Sequence, residues 1–304
     1  MQSIAAILIL LTVFAFGAAC AQDDGPPPNR TPIDDAGFAA IADFYAYDRD
    51  LPLRAEVLST QTHDGRQLPY RTDKVRFRTI NGHEVVGYFA YAPEDGVPPR
   101  PAVILLHGNN RYRGSHDTWT TRWLDILARE GYCVLAIDQY GFGERFVTGK
   151  APNFSGEMGP YERRDALRQH VVDARRAIDY VGSRPEVDTT RVVLMGESMG
   201  GYNACLAAGL EDRLRGVVMV VTGAWGRDTH DSMGRLFHTL NFAPRISAPA
   251  LMVYSTQDGR DVGQELFDHL PEPKEIVWHE IDDHVILVDN QRPAVVIWLA
   301  RQLR

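Results

Sequence analysis

Gly196-Glu197-Ser198-Met199-Gly200 places one serine between two glycines, behind a short apolar run and ahead of a run of small residues. A strand that turns abruptly into a helix holds a serine in this way, with its hydroxyl at the apex of the turn. The glycines answer a steric demand, because a side chain at Gly196 or Gly200 would crowd the turn. A serine hydroxyl is a weak nucleophile until a base takes its proton, and that base needs a third group to orient it. The chain offers both downstream, acid first and histidine second. Asp258 follows the apolar run 250–255, and His284 follows the run 274–281. Ser198, Asp258 and His284 are therefore the candidate nucleophile, orienting carboxylate and general base of acyl transfer.

Neighbouring residues compete for these roles. Asp261 is expected to cap the helix that follows Asp258, and His279 lies within a strand-like run as a structural residue. The other histidines are expected on the surface or in the core. Acyl transfer also needs donors for an oxyanion. The backbone N–H of Met199, directly after the nucleophile, is one candidate. The other is the N–H of Asn109, in the loop His107-Gly108-Asn109-Asn110 after the apolar run 102–106. Gly108 allows close backbone approach there, and His107 is expected to brace the loop. Of the three cysteines, Cys133 and Cys205 read as buried free thiols. No Cys/His spacing suggests a structural zinc site, and the chemistry requires neither metal nor organic cofactor.

Elements must bring these residues together. Short apolar runs at 102–106, 132–137, 191–195, 216–222, 250–255 and 274–281 suit buried parallel strands. Helical patterns lie between them at about 117–130, 161–182, 198–209, 229–240 and 261–270, with a last one near 290–303. The alternation predicts an α/β class, with a mostly parallel central sheet and helices on both faces. A short helical segment begins at Phe38. Residues 74–80 and 84–91, around Asn81-Gly82-His83, predict an N-terminal β-hairpin. A single catalytic domain is expected over 36–304, behind a disordered, proline-rich tether at 22–35. Residues 1–21 carry no charge and hold an apolar run at 4–16, then Ala19-Cys20-Ala21. They read as a signal peptide, which implies export to the periplasm or medium. Lipidation of Cys20, and with it membrane attachment, is the alternative.

The 304 residues carry a formal net charge of −8, and their basic side chains are scattered among acids. That arrangement excludes the basic stripe a nucleic-acid partner requires. Taken together, His107-Gly108, the Gly196–Gly200 elbow, Asp258 and His284 resemble the α/β-hydrolase family. Asp138, Gly141 and Gly143 are similar to its D-x-x-G-x-G loop. Pro185-Glu186-Val187-Asp188 with Arg191 resembles the dienelactone hydrolase, acetylxylan esterase and prolyl-peptidase-like branch. The resemblance implies an esterase acting on a small-molecule carboxylic ester through an acyl-enzyme. Serine at the apex departs from haloalkane dehalogenases, which use aspartate, and from dienelactone hydrolase itself, which uses cysteine. Three alternatives stand beside this reading: a prolyl-oligopeptidase-like serine peptidase, an acyltransferase, and a non-catalytic binding protein on the same scaffold. The segment before the catalytic domain is short for the peptidases' propeller, and a binding protein would be expected to have lost part of the triad. Pocket walls are expected from 109–120, 139–163 and 223–247. The last includes Trp225, Met233, Phe237, Leu240 and Phe242, about half of them core. Arg111 and Arg113 either meet an acidic substrate or are solvated.

Overall fold

The computed structural model describes residues 28–64, 68–92, 98–110, 113–146 and 159–303. The expected signal peptide, Cys20 and Arg111 lie outside the described residues. In chain order the elements are α1 (Asp35–Phe44), β1 (Glu56–His63), β2 (Tyr70–Arg78), β3 (Glu84–Tyr91), β4 (Arg100–Leu106), α2 (Thr118–Arg129), β5 (Cys133–Ile137) and α3 (Pro160–Gly182). They continue with β6 (Val187–Glu197), α4 (Met199–Ala208), β7 (Gly216–Val220), α5 (Gly234–Phe237), α6 (Thr239–Phe242), β8 (Ala250–Ser255), α7 (Arg260–His269), β9 (Lys274–His279) and α8 (Val288–Leu303).

The strands form one sheet in the order β1-β2-β3-β5-β4-β6-β7-β8-β9. From β5 to β9 every pairing is parallel. The inner strands β4, β5, β7 and β8 and the second half of β6 are apolar runs because helices cover both faces, whereas the edge strand β9 is half-buried. Alternate residues of β4 show it: Ile104 and Leu106 join a core beneath α3 and α4, while Val103 and Leu105 join one beneath α2 and α8. Cys133 on β5 and Cys205 on α4 are free and buried, and burial pushes both thiols up to about 12. The expected hairpin is present as β2 and β3, joined through Asn81 and Gly82, both at positive φ. Among the described residues no helix is long and apolar enough to cross a membrane.

The structure adds one strand that the sequence left unassigned and corrects two expectations. First, β1 pairs antiparallel with β2, although its sequence shows no alternation. As an edge strand it is exposed along nearly its whole length, so no face demands apolar residues. Second, the helix expected at 229–240 is replaced by turns and the two four-residue helices α5 and α6. Asp228 and Asp231 explain the break. Their carboxylates accept from His230 N (2.7 Å), Met233 N (2.8 Å) and Gly234 N (2.6 Å), which offers the backbone turns in place of a helical ladder. Third, the expected disordered tether is docked from Asn29 onward. Ile33 is buried, and its N–H donates to Asn241 Oδ1 (3.0 Å). Arg30 meets the Glu265 carboxylate and donates to the carbonyls of Ala224 and Gly226. The planar guanidinium, with its five donors, fits several acceptors at once.

Candidate active site

Parallel strands all end on the same edge of a sheet, so the loops after β4, β6, β8 and β9 meet there. Each brings one part of the site. At the end of β6, Ser198 takes φ 52° and ψ −115°, and α4 begins at the next residue. This is the strained, left-handed-side backbone of a sharp strand-to-helix turn. Neighbouring chain explains its glycines. A Cβ on Gly196 would lie 2.2 Å from Gly200 O, and one on Gly200 would lie 2.0 Å from Leu106 O. The turn is pinned on the β7 side, where Ser198 N donates to Val220 O (2.9 Å).

Asp258 closes a short turn after β8, and His284 sits on the loop after β9. The structure brings these two and Ser198 together. His284 Nε2 lies 2.9 Å from Ser198 Oγ, and Nδ1 lies 2.8 Å from each oxygen of Asp258. A carboxylate only accepts, so Nδ1 carries the proton donated to Asp258, and Nε2 is left to accept from the serine hydroxyl. The His284 side chain is 31% exposed and that of Asp258 16%, so the imidazole is open to solvent while its partner is shielded. His279 stays within β9, as expected, and burial lowers its pKa. Asp261 does not cap α7: Gly259 holds that position, and Asp261 lies in the first turn, where the helix dipole favours an acid.

Two residues outside the sequence-derived set hold His284 in place. Ser255 Oγ, at the end of β8, donates to Asp283 O (2.6 Å), and Thr256 Oγ1 approaches the carbonyls of His279 and Ile281 (3.3 Å each). The loop after β9 is thereby tied to the strand that delivers Asp258. Small hydroxyl residues at a strand end carry no signal of this in the sequence.

Met199 is buried at the first position of α4, where helical N–H groups have no acceptor within the helix. Asn109 is exposed on the loop after β4. That loop runs against the elbow, since a Cβ on Gly108 would lie 3.6 Å from Ser198 Cβ. His107 braces it. Its Nδ1 donates to Gly108 O (2.7 Å), its Nε2 accepts from Gln139 N (3.1 Å), and burial lowers its pKa, which keeps the ring neutral for both bonds. Asn110 bonds both the N–H and C=O of Gly114 and the Asp117 carboxylate. Asp138, the first residue of the D-x-x-G-x-G segment, accepts from Ser115 N and Oγ (2.7 Å each) and from Glu144 N (2.8 Å). This carboxylate is thus a clamp between two loops at the site's rim.

Of the expected wall residues, Phe237, Leu240 and Phe242 are core, whereas Trp225 and Met233 are half-buried. Trp225 stacks on Tyr202 of α4, with ring centroids 6.1 Å apart. Arg113 is exposed. Glu197, which the sequence reading left without a role, is buried at the end of β6, immediately before Ser198 in the chain. Removal from water, followed by the negative charge of Asp117, pushes its carboxyl up to about 8, against an opposing hydrogen bond from Gln291.

Comparisons with known proteins agree with this architecture. The model of the alpha/beta hydrolase family matches residues 103–301. YtaP of Bacillus subtilis (strain 168), whose name describes a hydrolase, is 33% identical over 145 residues, covering 45% of this chain and 48% of YtaP. Dipeptidyl-peptidase 5 of Porphyromonas gingivalis is 28% identical over 153 residues, 49% of this chain and 20% of the peptidase. The chain thus matches about half, or less, of the length of these relatives. An acetyl xylan esterase from Paenibacillus sp. R4 superposes with a TM-score of 0.68 over 90% of this chain and 96% of that one. Its 22% sequence identity speaks for a shared fold. With the family model spanning well over half of the sequence, the chain belongs to the alpha/beta hydrolase family.

Proposed function

We propose that the protein is a serine hydrolase of carboxylic esters, working through a Ser198-His284-Asp258 triad and an acyl-enzyme. The observation that carries this reading is the continuous hydrogen-bonded line from Asp258 through His284 to Ser198 Oγ. His284 Nε2 takes the hydroxyl proton as Oγ attacks the ester carbonyl, and Asp258 holds the imidazole and stabilises its charged form. The N–H groups of Met199 and Asn109 receive the oxyanion. His284 then returns the proton to the departing alcohol. In the second half, water gives His284 a proton as it attacks the acyl carbon, and Ser198 recovers that proton on release of the acid. A peptidase reading draws support from the likeness to dipeptidyl-peptidase 5, and amide substrates separate the two. Export belongs to the same proposal, supported by the uncharged, apolar residues 1–21; N-terminal sequencing of protein recovered outside the cytoplasm tests it.

The test is hydrolysis of p-nitrophenyl esters, from acetate to octanoate, by the protein and by Ser198→Ala, beside matched p-nitroanilides. Ser198→Ala is expected to lower turnover by about 10⁶. Undiminished ester hydrolysis by the variant would refute the nucleophile, and preferential cleavage of anilides would favour the peptidase.

A further inference from the structure

Glu197 is an acid in a place where a charge finds little support, a single amide donor from Gln291. It is 7% exposed, its Oε1 is buried without a hydrogen-bond partner, and it forms no ion pair among the described residues. A Cβ on Gly108 would lie 3.5 Å from Glu197 Oε2, so the carboxyl sits under the loop that carries Asn109. The groups around it come from several elements. From the start of α2 comes Asp117, which accepts from Thr120 N (2.7 Å) and Asn110 Nδ2 (2.8 Å) and adds a second negative charge. The loop after β4 contributes neutral His107. From α8 comes Gln291, wholly buried, whose oxygen accepts from the indole N–H groups of Trp119 (3.0 Å) and Trp123 (3.2 Å). That leaves the Gln291 NH₂ for Ile286 O and for Glu197. Ser198 follows directly in the chain, at the start of α4. An isolated buried carboxylate facing another carboxylate is unfavourable, whereas the protonated acid is tolerated.

We propose that Glu197 is held as the neutral acid and serves as a positioning residue: protonated, it fills the floor between the elbow and the 107–109 loop, and on losing its proton it sets a negative charge behind the site where the oxyanion forms. This rests on the serine-esterase reading for its catalytic consequence, and on burial and geometry for the protonation itself. The oxyanion is stabilised by N–H dipoles fixed on Met199 and Asn109, and an anion beneath them opposes that stabilisation. Ester hydrolysis should therefore decline as the pH passes about 8.

The test has two readouts. The first is kcat/KM for p-nitrophenyl acetate across the neutral and alkaline range. The native protein should lose about tenfold or more above the transition, while Glu197→Gln, neutral at every pH, should show no alkaline fall whatever its level at neutral pH. An alkaline limb that persists in Glu197→Gln would overturn the proposal. The second readout needs no activity and no variant. The infrared carbonyl band of a buried protonated carboxyl should be present in the native protein at neutral pH and fade as the pH rises through about 8. Absence of such a band at neutral pH would equally overturn it. Failure of the esterase reading would appear separately, as ester hydrolysis that survives Ser198→Ala, and the infrared result would still decide the state of Glu197.

Discussion

Single residues on this chain are tuned mainly by removal from water. Glu197 and His170 show the same physics with opposite signs, because burial disfavours whichever form is charged. His170 is buried on α3, where its Nε2 lies 3.0 Å from Tyr140 O and its Nδ1 lies 3.0 Å from Asn203 Nδ2 of α4. The neutral ring satisfies both contacts, donating from Nε2 and accepting at Nδ1. Burial pushes its pKa down to about 3, with the Arg145 charge as the next cause. The unfolded chain therefore binds a proton in a window where the folded one does not, between about 6.5 and about 3. Stability should fall as the pH is lowered through that window. Urea unfolding midpoints measured over this range should show the fall, and His170→Gln should flatten it; an unchanged slope in the variant would place the acid sensitivity elsewhere.

At the scale of elements, the site depends on how loops are tied to strand ends. Ser198 is held by the elbow, with its glycines pressed against Leu106 O and Gly200 O, and by its N–H bond to Val220 O on β7. His284 lacks such local enforcement and relies on Ser255 and Thr256 across the gap between β8 and β9. Removing one hydroxyl should loosen the imidazole without unfolding the protein. Ser255→Ala is expected to cost about 1 kcal/mol of stability but to lower kcat/KM by about ten- to hundredfold, because small displacements of a catalytic base are costly. Thermal denaturation beside ester kinetics checks the split, and a loss confined to stability would contradict it. The elements themselves were legible to unequal degrees. The parallel strands stood out as short apolar runs, because burial on both faces admits little else. The break at 229–240 was hidden, since its apolar residues fit a helix while Asp228 and Asp231 capture the backbone locally.

For the whole molecule, the notable feature is the return of the first described residues onto the far end of the chain. Asn29 accepts from Thr229 N (2.8 Å), Ile33 enters the core, and Arg30 reaches Glu265 on α7. The ion pair itself is partly exposed, with side chains 31% and 30% accessible, so solvent screens much of its value. More should come from the hydrogen bonds to the carbonyls of Ala224, which is part-buried, and Gly226. Arg30→Ala should therefore destabilise the fold by about 1–2 kcal/mol, and high salt should remove only a minor part of the difference. Urea unfolding at low and high ionic strength measures both quantities. A defect abolished by salt would instead assign the contribution to charge pairing.

The sequence by itself determined the fold class and the identity of the residues that meet. Ser198 is marked by local sterics, which force glycine at two fixed offsets, and Asp258 and His284 by their places just beyond apolar strands whose ends share one edge. Tertiary structure alone decided the rest: the docking of residues 29–33, the edge strand β1, the Ser255 tie on His284, and the isolation of the Glu197 carboxyl. Each of these depends on partners distant in the chain. A local pattern records what one segment requires of its own backbone, whereas desolvation and long-range hydrogen bonds exist only once the segments have been brought together.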